Sequence, residues 1–386
     1  MNKLCVKLPP FAPDYSGACS ALFELGGLVV IHDASGCTGN YTGYDEPRWY
    51  GSKSYVYCSK LREIDAVMGD DEKLVKKILD AAADLDPRFI AVLGSPVPMV
   101  IGADMQGIAA EIENRSGIPA FGFSTTGLDY YDKGASSAFL AAAGKFVKPV
   151  PEKKSGSMNI LGLTPLDYSA NRNASDMREF FESRGWEVLS AFAMGSGLDD
   201  MERSAGAQVN LVVASSGLPL ARYFEREHGI PFVCGAPLGE AGSKVLEDEL
   251  AGASGAKERL GGRKPAPGRR VLIVHDQIIA NSIRVSLEAD YGVQGAAAAT
   301  PFSFADAIAR EGDLNPSCEK EIAGALSGGF DAVIADPLFR DLMPEDSGAR
   351  FIELPHAAVS SKLYWDRCPG IIGPRLCEYL GSEYFI

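Results

Sequence analysis

Several short motifs that identify common catalytic and metal sites are missing from this sequence. Its 386 residues contain no C-x-x-C pair, no G-x-G-x-x-G, no G-x-x-x-x-G-K-[ST] and no G-x-S-x-G. These absences argue against zinc ribbons and thioredoxin-like motifs, and against NAD binding or ATP hydrolysis by this chain. Histidine is also scarce, at four residues, which limits catalytic triads and histidine-rich metal sites.

Positive charge and long apolar runs are equally scarce. The net charge is −14 and the isoelectric point is near 4.9, whereas a nucleic-acid partner requires a basic surface. Apolar runs such as Val271–Val274 are too short to cross a bilayer. The first residues also lack the apolar segment of a signal peptide. We therefore expect a cytoplasmic protein that binds neither nucleic acid nor membranes.

Eight cysteines are present, and their distribution is uneven. Cys5, Cys19, Cys37 and Cys58 fall in the first 58 residues, and the next cysteine is Cys234. In a cytoplasmic chain we expect reduced thiols. A free cysteine is commonly a small buried hydrophobic residue, and we interpret the C-terminal three, Cys318, Cys368 and Cys377, in this way. Cys234 follows a predicted strand and is interpreted as a ligand, a nucleophile or a core thiol.

The order of predicted elements indicates an α/β fold. Short apolar strands such as Leu28–Ile31, Met158–Leu163 and Arg270–His275 are each followed by turns and amphipathic helices. Strands that alternate with helices predict parallel sheets covered on both faces. In such sheets ligands bind beyond the carboxyl ends of the strands, so chemistry is expected in the turns that follow them.

Two linkers divide this pattern into three blocks. Val147–Ser157 carries proline, lysine, glycine and serine, and Gly261–Gly268 carries two prolines and three glycines. We predict three Rossmann-like domains, over residues 1–152, 153–264 and 265–386. The first contains the four N-terminal cysteines.

The stretch Tyr15–Tyr44 holds the best candidates for metal ligands. Cys19 lies near the start of a short predicted helix, and Cys37 lies in a Ser-Gly-Cys-Thr-Gly turn after Leu28–Ile31. Glycines on both sides of a cysteine let the backbone approach a bulky inorganic group, and thiolate is the soft ligand that iron–sulfur clusters require. Two buried cysteines without metal are the alternative.

The same stretch, with motifs further along, resembles nitrogenase component 1. Cys58–Leu74 is similar to the family's E-x-D-x-V-x-G-G-x-x-K-L, with Asp70 in place of the second glycine. Further similar segments follow in the family's order: Phe89–Asp104, Gly229–Pro231, Phe351–His356 and Gly370–Leu380. The resemblance therefore covers nearly the whole chain and implies the three-domain fold.

The resemblance also implies an oxygen-sensitive [4Fe–4S] cluster held by Cys19 and Cys37. Component 1 chains often carry a third cysteine after the strand Phe89–Leu93, where this chain has Ser95. Two arrangements remain open. Two copies each give Cys19 and Cys37 to one cluster on a two-fold axis, or Cys58 or the Ser95 oxygen completes the site in one chain.

A second departure concerns the large iron–molybdenum cofactor of true nitrogenase. Its cysteine should fall near Val213–Ser215, where this chain has none, while His356 matches its histidine with an offset of one residue. Dinitrogen reduction is therefore not expected. His356 is a candidate catalytic residue that faces a substrate pocket, or a hydrogen-bonded histidine at a strand end. Asp336 and His275-Asp276 occupy similar positions and are interpreted as loop-capping residues.

The resemblance implies a redox enzyme with protein partners. An ATP-dependent reductase similar to the nitrogenase iron protein would supply electrons, and a small molecule would receive them. A homodimer, or a heterodimer with a paralogous subunit, is expected. The aromatic residues behind Cys37 are candidates for a dimer contact or for a loop packed on its own domain: Tyr41, Tyr44, Trp49, Tyr50, Tyr55 and Tyr57. The alternatives are a non-catalytic scaffold or carrier of a metallocofactor, and a metal-free small-molecule binding protein.

Overall fold

The computed structural model describes residues 5–50, 54–252 and 269–381. The predicted linker Gly261–Gly268 lies outside these residues. The described strands form three separate sheets of four strands each, and every ladder within them is parallel.

The first sheet has the order β2-β1-β3-β4. Its strands are β1 Leu28–Ile31, β2 Tyr55–Cys58, β3 Ile90–Leu93 and β4 Ala120–Phe123. The associated helices are α1 Asp14–Leu22, α2 Gly36–Asn40, α3 Glu63–Met68, α4 Asp71–Leu85, α5 Pro96–Ile101, α6 Met105–Ser116 and α7 Tyr131–Phe146. A π-helical turn, Tyr41–Asp45, continues α2.

The second sheet has the order β6-β5-β7-β8. Its strands are β5 Lys154–Leu163, β6 Glu187–Ala193, β7 Ala207–Val212 and β8 Phe232–Cys234. The helices around it are α8 Pro165–Tyr168, α9 Asn173–Glu182, α10 Leu198–Glu202, α11 Leu218–His228 and α12 Glu240–Gly252.

The third sheet has the order β10-β9-β11-β12. Its strands are β9 Arg270–Val274, β10 Gly295–Ala299, β11 Ala332–Ala335 and β12 Arg350–Glu353. Its helices are α13 Gln277–Tyr291, α14 Glu319–Leu326, α15 Ala357–Ser360 and α16 Arg375–Leu380.

The predicted α/β class with parallel sheets is confirmed. Strands β1, β3 and β11 are buried along their whole length, as expected where helices cover both faces. The three sheets draw on residues 28–123, 154–234 and 270–353, which fall within the three predicted segments. The boundaries at 152 and 264 stay predictions.

Candidate functional site

Three of the predicted ligands lie along one edge of the first sheet. Cys58 ends β2, Cys37 lies in α2 after β1, and Ser95 precedes α5 after β3. Because β2, β1 and β3 are parallel neighbours, their carboxyl ends meet at the same edge. The sheet order thus places Cys37 between the other two.

Cys37 has the most polar surroundings of the three. Its backbone N–H donates to the Asp33 carboxylate at 2.9 Å, and its thiol lies within hydrogen-bonding reach of the Tyr15 and Ser95 hydroxyls. Burial, and then the Asp33 charge, raise the pKa of the half-buried Cys37 thiol, while the two hydroxyls act in the opposite direction. Hydroxyl donors stabilise a thiolate, so Tyr15 partly offsets the effect of burial and of Asp33 on Cys37.

Cys58 shares a neighbour with Cys37. The half-buried Cys58 sulfur contacts the Asp33 carbonyl at 3.2 Å and accepts the Lys60 N–H at 3.3 Å. The turn at Asp33 therefore lies between the two thiols. Ser95 is fully buried, and its hydroxyl donates to the His32 carbonyl at 2.9 Å.

Cys19 has different surroundings from these residues. It is fully buried in α1, within the apolar core. Burial, and then the charge of Glu46, raise the pKa of the Cys19 thiol well above its usual value. Over the described ranges, no group of three or more histidine, cysteine or acidic side chains lies close enough to hold one metal ion.

His356 belongs to a buried polar cluster between the sheets. Its ring stacks on His275, with centroids 4.0 Å apart, and its Nε2 lies 3.5 Å from both Asp167 Oδ1 and the Tyr131 hydroxyl. Tyr131 donates in turn to Asp167. Burial lowers the pKa of His356 to about 3, so the imidazole is neutral at physiological pH. His356 is 1% exposed and behaves as a member of this network.

Both aspartates that follow third-sheet strands cap the next segment. Asp276 accepts the N–H groups of Ile278 and Ile279 at the start of α13. Its other oxygen accepts the Ser215 N–H at 3.0 Å. Asp336 accepts the His356 N–H and the Ser360 hydroxyl at 2.8 and 2.7 Å, which fixes α15 against β11.

We call each sheet with its helices a unit. A cavity of about 590 Å³ lies between the first and third units. Its apolar wall includes Pro9, Phe11, Pro13, Pro96, Val359 and Leu363. Its polar wall includes Tyr15, Asn40, Asp45, Ser361 and Lys362. Tyr15 connects this cavity to the Cys37 thiol. No sequence motif predicted it, because its walls come from distant segments without a shared pattern.

The aromatic residues behind Cys37 separate into two groups. Tyr41 is fully buried, and Trp49 packs on Phe23 with ring centroids 6.4 Å apart. Tyr44 and Tyr50 are more than half exposed. Tyr41 and Trp49 therefore pack on their own part of the chain. Tyr44 and Tyr50 remain candidates for the dimer contact.

Helices α3 and α5 present a separate exposed apolar patch. They pack side by side, and the patch consists of Ile64, Val67 and Met68 from α3 with Val97 and Val100 from α5. Val67 is 76% and Val100 is 78% exposed. Clustered apolar exposure of this kind marks interaction surfaces.

None of the described helices has the length and apolar character needed to span a membrane.

The chain is similar to several known proteins. A family model described as nitrogenase component 1 type oxidoreductase matches residues 13–266. The nitrogenase iron-molybdenum cofactor biosynthesis protein NifE of Clostridium pasteurianum is 25% identical over 213 residues, covering 53% of this chain and 45% of that protein. A subunit of the light-independent protochlorophyllide reductase of Prosthecochloris aestuarii is 24% identical over 233 residues. This match covers 58% of this chain and 42% of that protein. These matches span about half the length of the curated relatives.

Two solved structures are similar to this chain over a larger share of its length. "Nitrogenase Cp1 at pH 6.5" covers 100% of this chain and 94% of its own, with a TM-score of 0.72 and 13% identity. "Nitrogenase Cp1 at pH 5" covers 94% of this chain and 86% of its own, with a TM-score of 0.66 and 17% identity. At these identities the similarity shows the fold alone.

Proposed function

Because the chain belongs to the nitrogenase component 1 type oxidoreductase family, we propose that it is an iron–sulfur oxidoreductase subunit. It accepts electrons from an ATP-dependent reductase and passes them to a small molecule. The observation that carries the proposal is the alignment of Cys58, Cys37 and Ser95 along one sheet edge. A cavity that can hold a small molecule lies next to this edge.

Two copies of the chain hold one [4Fe–4S] cluster in this proposal. Such a cluster usually takes four thiolates, and two cysteines from each copy supply them. In each copy, Cys37 is one of the two ligands. The other ligand is Cys58 or Cys19. The positions favour Cys58, because Cys19 is fully buried in the core. When bound, the cluster would supply one-electron transfer, and the Tyr15 hydroxyl, which lies within hydrogen-bonding reach of Cys37, would stabilise its sulfur.

The patch on α3 and α5 is the proposed docking surface for the reductase. Helix α3 begins five residues after Cys58, and α5 begins directly after Ser95. A partner on this patch is therefore held close to the proposed cluster edge.

A metallocofactor scaffold or carrier is the second candidate function. The likeness to NifE, a cofactor biosynthesis protein by its printed name, favours it. A scaffold would hold a metal group without accepting electrons in an ATP-dependent way.

Reduction of the reconstituted protein by a nitrogenase iron-protein-like reductase separates the two candidates. The cluster signal in electron paramagnetic resonance should change only when ATP and the reductase are both present. A protein that binds iron but shows no ATP-dependent reduction would support the scaffold. A protein that takes up no iron under anaerobic reconstitution would contradict both.

A further inference from the structure

The cavity between the first and third units contains a buried acid whose hydrogen-bond donors are all neutral. Asp45 is 3% exposed and lines the cavity. One of its carboxylate oxygens accepts the Ser16 hydroxyl and the Asn40 amide, each at 2.7 Å. The other accepts the Ser361 hydroxyl at 3.2 Å. A buried carboxylate without a cation carries a large desolvation cost.

Arg48, three residues further along the chain, and Lys362, on the cavity wall, are engaged with other groups. Arg48 pairs with Glu46 and Glu24 at 2.8 and 2.9 Å. The exposed Lys362 ammonium donates to the Tyr50 hydroxyl at 3.1 Å and lies over the Tyr50 ring. Burial raises the pKa of Asp45 to about 6, which is the response of a carboxyl that lacks a positive partner.

The remaining walls suit an apolar cation. Phe11, Tyr15 and Tyr44 place three aromatic rings on the cavity, and prolines supply rigid apolar surface. Aromatic faces attract cations electrostatically, and this attraction increases when the cation is desolvated. A protonated nitrogen at Asp45 would meet both the carboxylate and the rings.

We propose that this cavity binds an organic cation, an apolar or aromatic molecule that carries a protonated nitrogen, with the nitrogen paired to Asp45. We assign this cation as the molecule that the enzyme reduces, and that assignment rests on the proposed function. Tyr15 provides the link, because it lines the cavity and lies within hydrogen-bonding reach of Cys37. The binding itself requires no cluster and no reductase.

Three aromatic probes of matched shape test the charge preference: 2-naphthylmethylamine, 2-naphthalenemethanol and 2-naphthoate. Each is titrated into the full-length, metal-free chain by calorimetry at neutral pH. The amine should bind at least about tenfold more tightly than the alcohol, because a desolvated pair with a carboxylate is worth more than an exposed one. The carboxylate should bind more weakly than the alcohol.

Two variants locate the preference. Asp45→Asn keeps the size of the side chain and should bring the amine and the alcohol within about twofold of each other. Asp132→Asn removes another buried carboxyl, which accepts the Ser303 N–H at 2.9 Å and is not among the residues lining this cavity. It should keep the full preference.

Equal binding of the three probes to the wild-type chain would overturn the proposal, whether or not Asp45→Asn folds. A preference that survives in Asp45→Asn would also overturn it. Because the chain is tested without metal, either result is independent of iron binding, which tests the proposed function.

Discussion

At the scale of single residues, Cys37 is the side chain on which the proposed cluster depends most. Cys37→Ala should reduce the iron bound after anaerobic reconstitution to background, because it removes the central thiol of the sheet edge. Colorimetric iron analysis and visible absorption measure this. Cys318→Ala is the matched control, since it removes a half-buried thiol of the third unit. Full iron content in Cys37→Ala would show that the ligand assignment is wrong.

A second residue-scale prediction concerns Asp336. Burial raises the pKa of the Asp336 carboxyl from 3.8 to about 6. A carboxyl with a raised folded-state pKa contributes stability below its unfolded-state pKa, and this contribution is lost as pH rises through the folded-state value. The free energy of unfolding of the wild type, relative to Asp336→Asn, should therefore fall by up to about 3 kcal/mol between about pH 4 and about pH 7.

Urea unfolding of both proteins across this range measures the difference. His356 contributes with the opposite sign, because its pKa is lowered to about 3. Asparagine keeps a side-chain oxygen that can accept the His356 N–H, so we expect this contribution to be similar in both proteins and to be largely removed in the difference. Asp341→Asn, at an exposed position, is the control and should show little change with pH. A flat difference for Asp336→Asn would contradict the burial effect.

Several of these residues could be predicted because chemistry follows strand ends in parallel sheets. This rule placed Cys37 and Asp336 at carboxyl edges, whereas Ser95 and His356 were singled out by the resemblance to nitrogenase component 1. Asp45 could not be predicted in this way. Its role depends on Ser361, which is 316 positions away along the chain, and on no local motif.

At the scale of elements, the contact between α1 and α7 depends on two glycines. A Cβ at Gly17 would lie 1.8 Å from the Tyr131 carbonyl oxygen, and a Cβ at Gly134 would lie 1.8 Å from that of Asp14. The two helix backbones therefore touch, and this contact holds Tyr15 and Tyr131 in place.

Gly17→Ala should destabilise the fold by roughly 2 to 4 kcal/mol, because one backbone must move to admit the methyl group. Gly144→Ala in α7 is the control. This glycine is exposed, and a methyl group added to it would have no neighbour within 4 Å, so alanine should stabilise the helix slightly. Thermal unfolding compares them, and a neutral Gly17→Ala would contradict the close contact.

The apolar patch gives the second element-scale prediction. Val67→Asp should abolish reduction of the cluster by the ATP-dependent reductase, while reduction by dithionite stays unchanged. Val245→Asp, at a partly exposed apolar position on α12, should affect neither reaction. If Val67→Asp is reduced normally by the reductase, the docking surface lies elsewhere.

Two elements had no clear signal in the sequence. On the buried side of helix α7, four alanines and Gly134 lie between Tyr131, Phe139 and Phe146, so only three large apolar residues mark the helical periodicity. Strand β10, Gly295–Ala299, consists of glycine and alanine, which have low β propensity. Tertiary packing decides both elements. Within the segment Gly370–Leu380, helix α16 begins only at Arg375, directly after Pro374.

At the scale of the whole molecule, the described strands form three parallel sheets of four strands each. The alternation of strands and helices predicted this architecture. The number of chains that share a cluster is not encoded in that alternation. In the proposal it rests on the ligand count, with two cysteines given by each of two chains.

Iron content combined with molecular mass is therefore the most direct test. Full-length protein is reconstituted anaerobically, and its iron is determined together with its mass by sedimentation. The proposal predicts a coloured dimer with about four irons per two chains, and the colour should be lost in Cys37→Ala. A colourless, iron-free protein, or a monomer that holds a complete cluster, would contradict it.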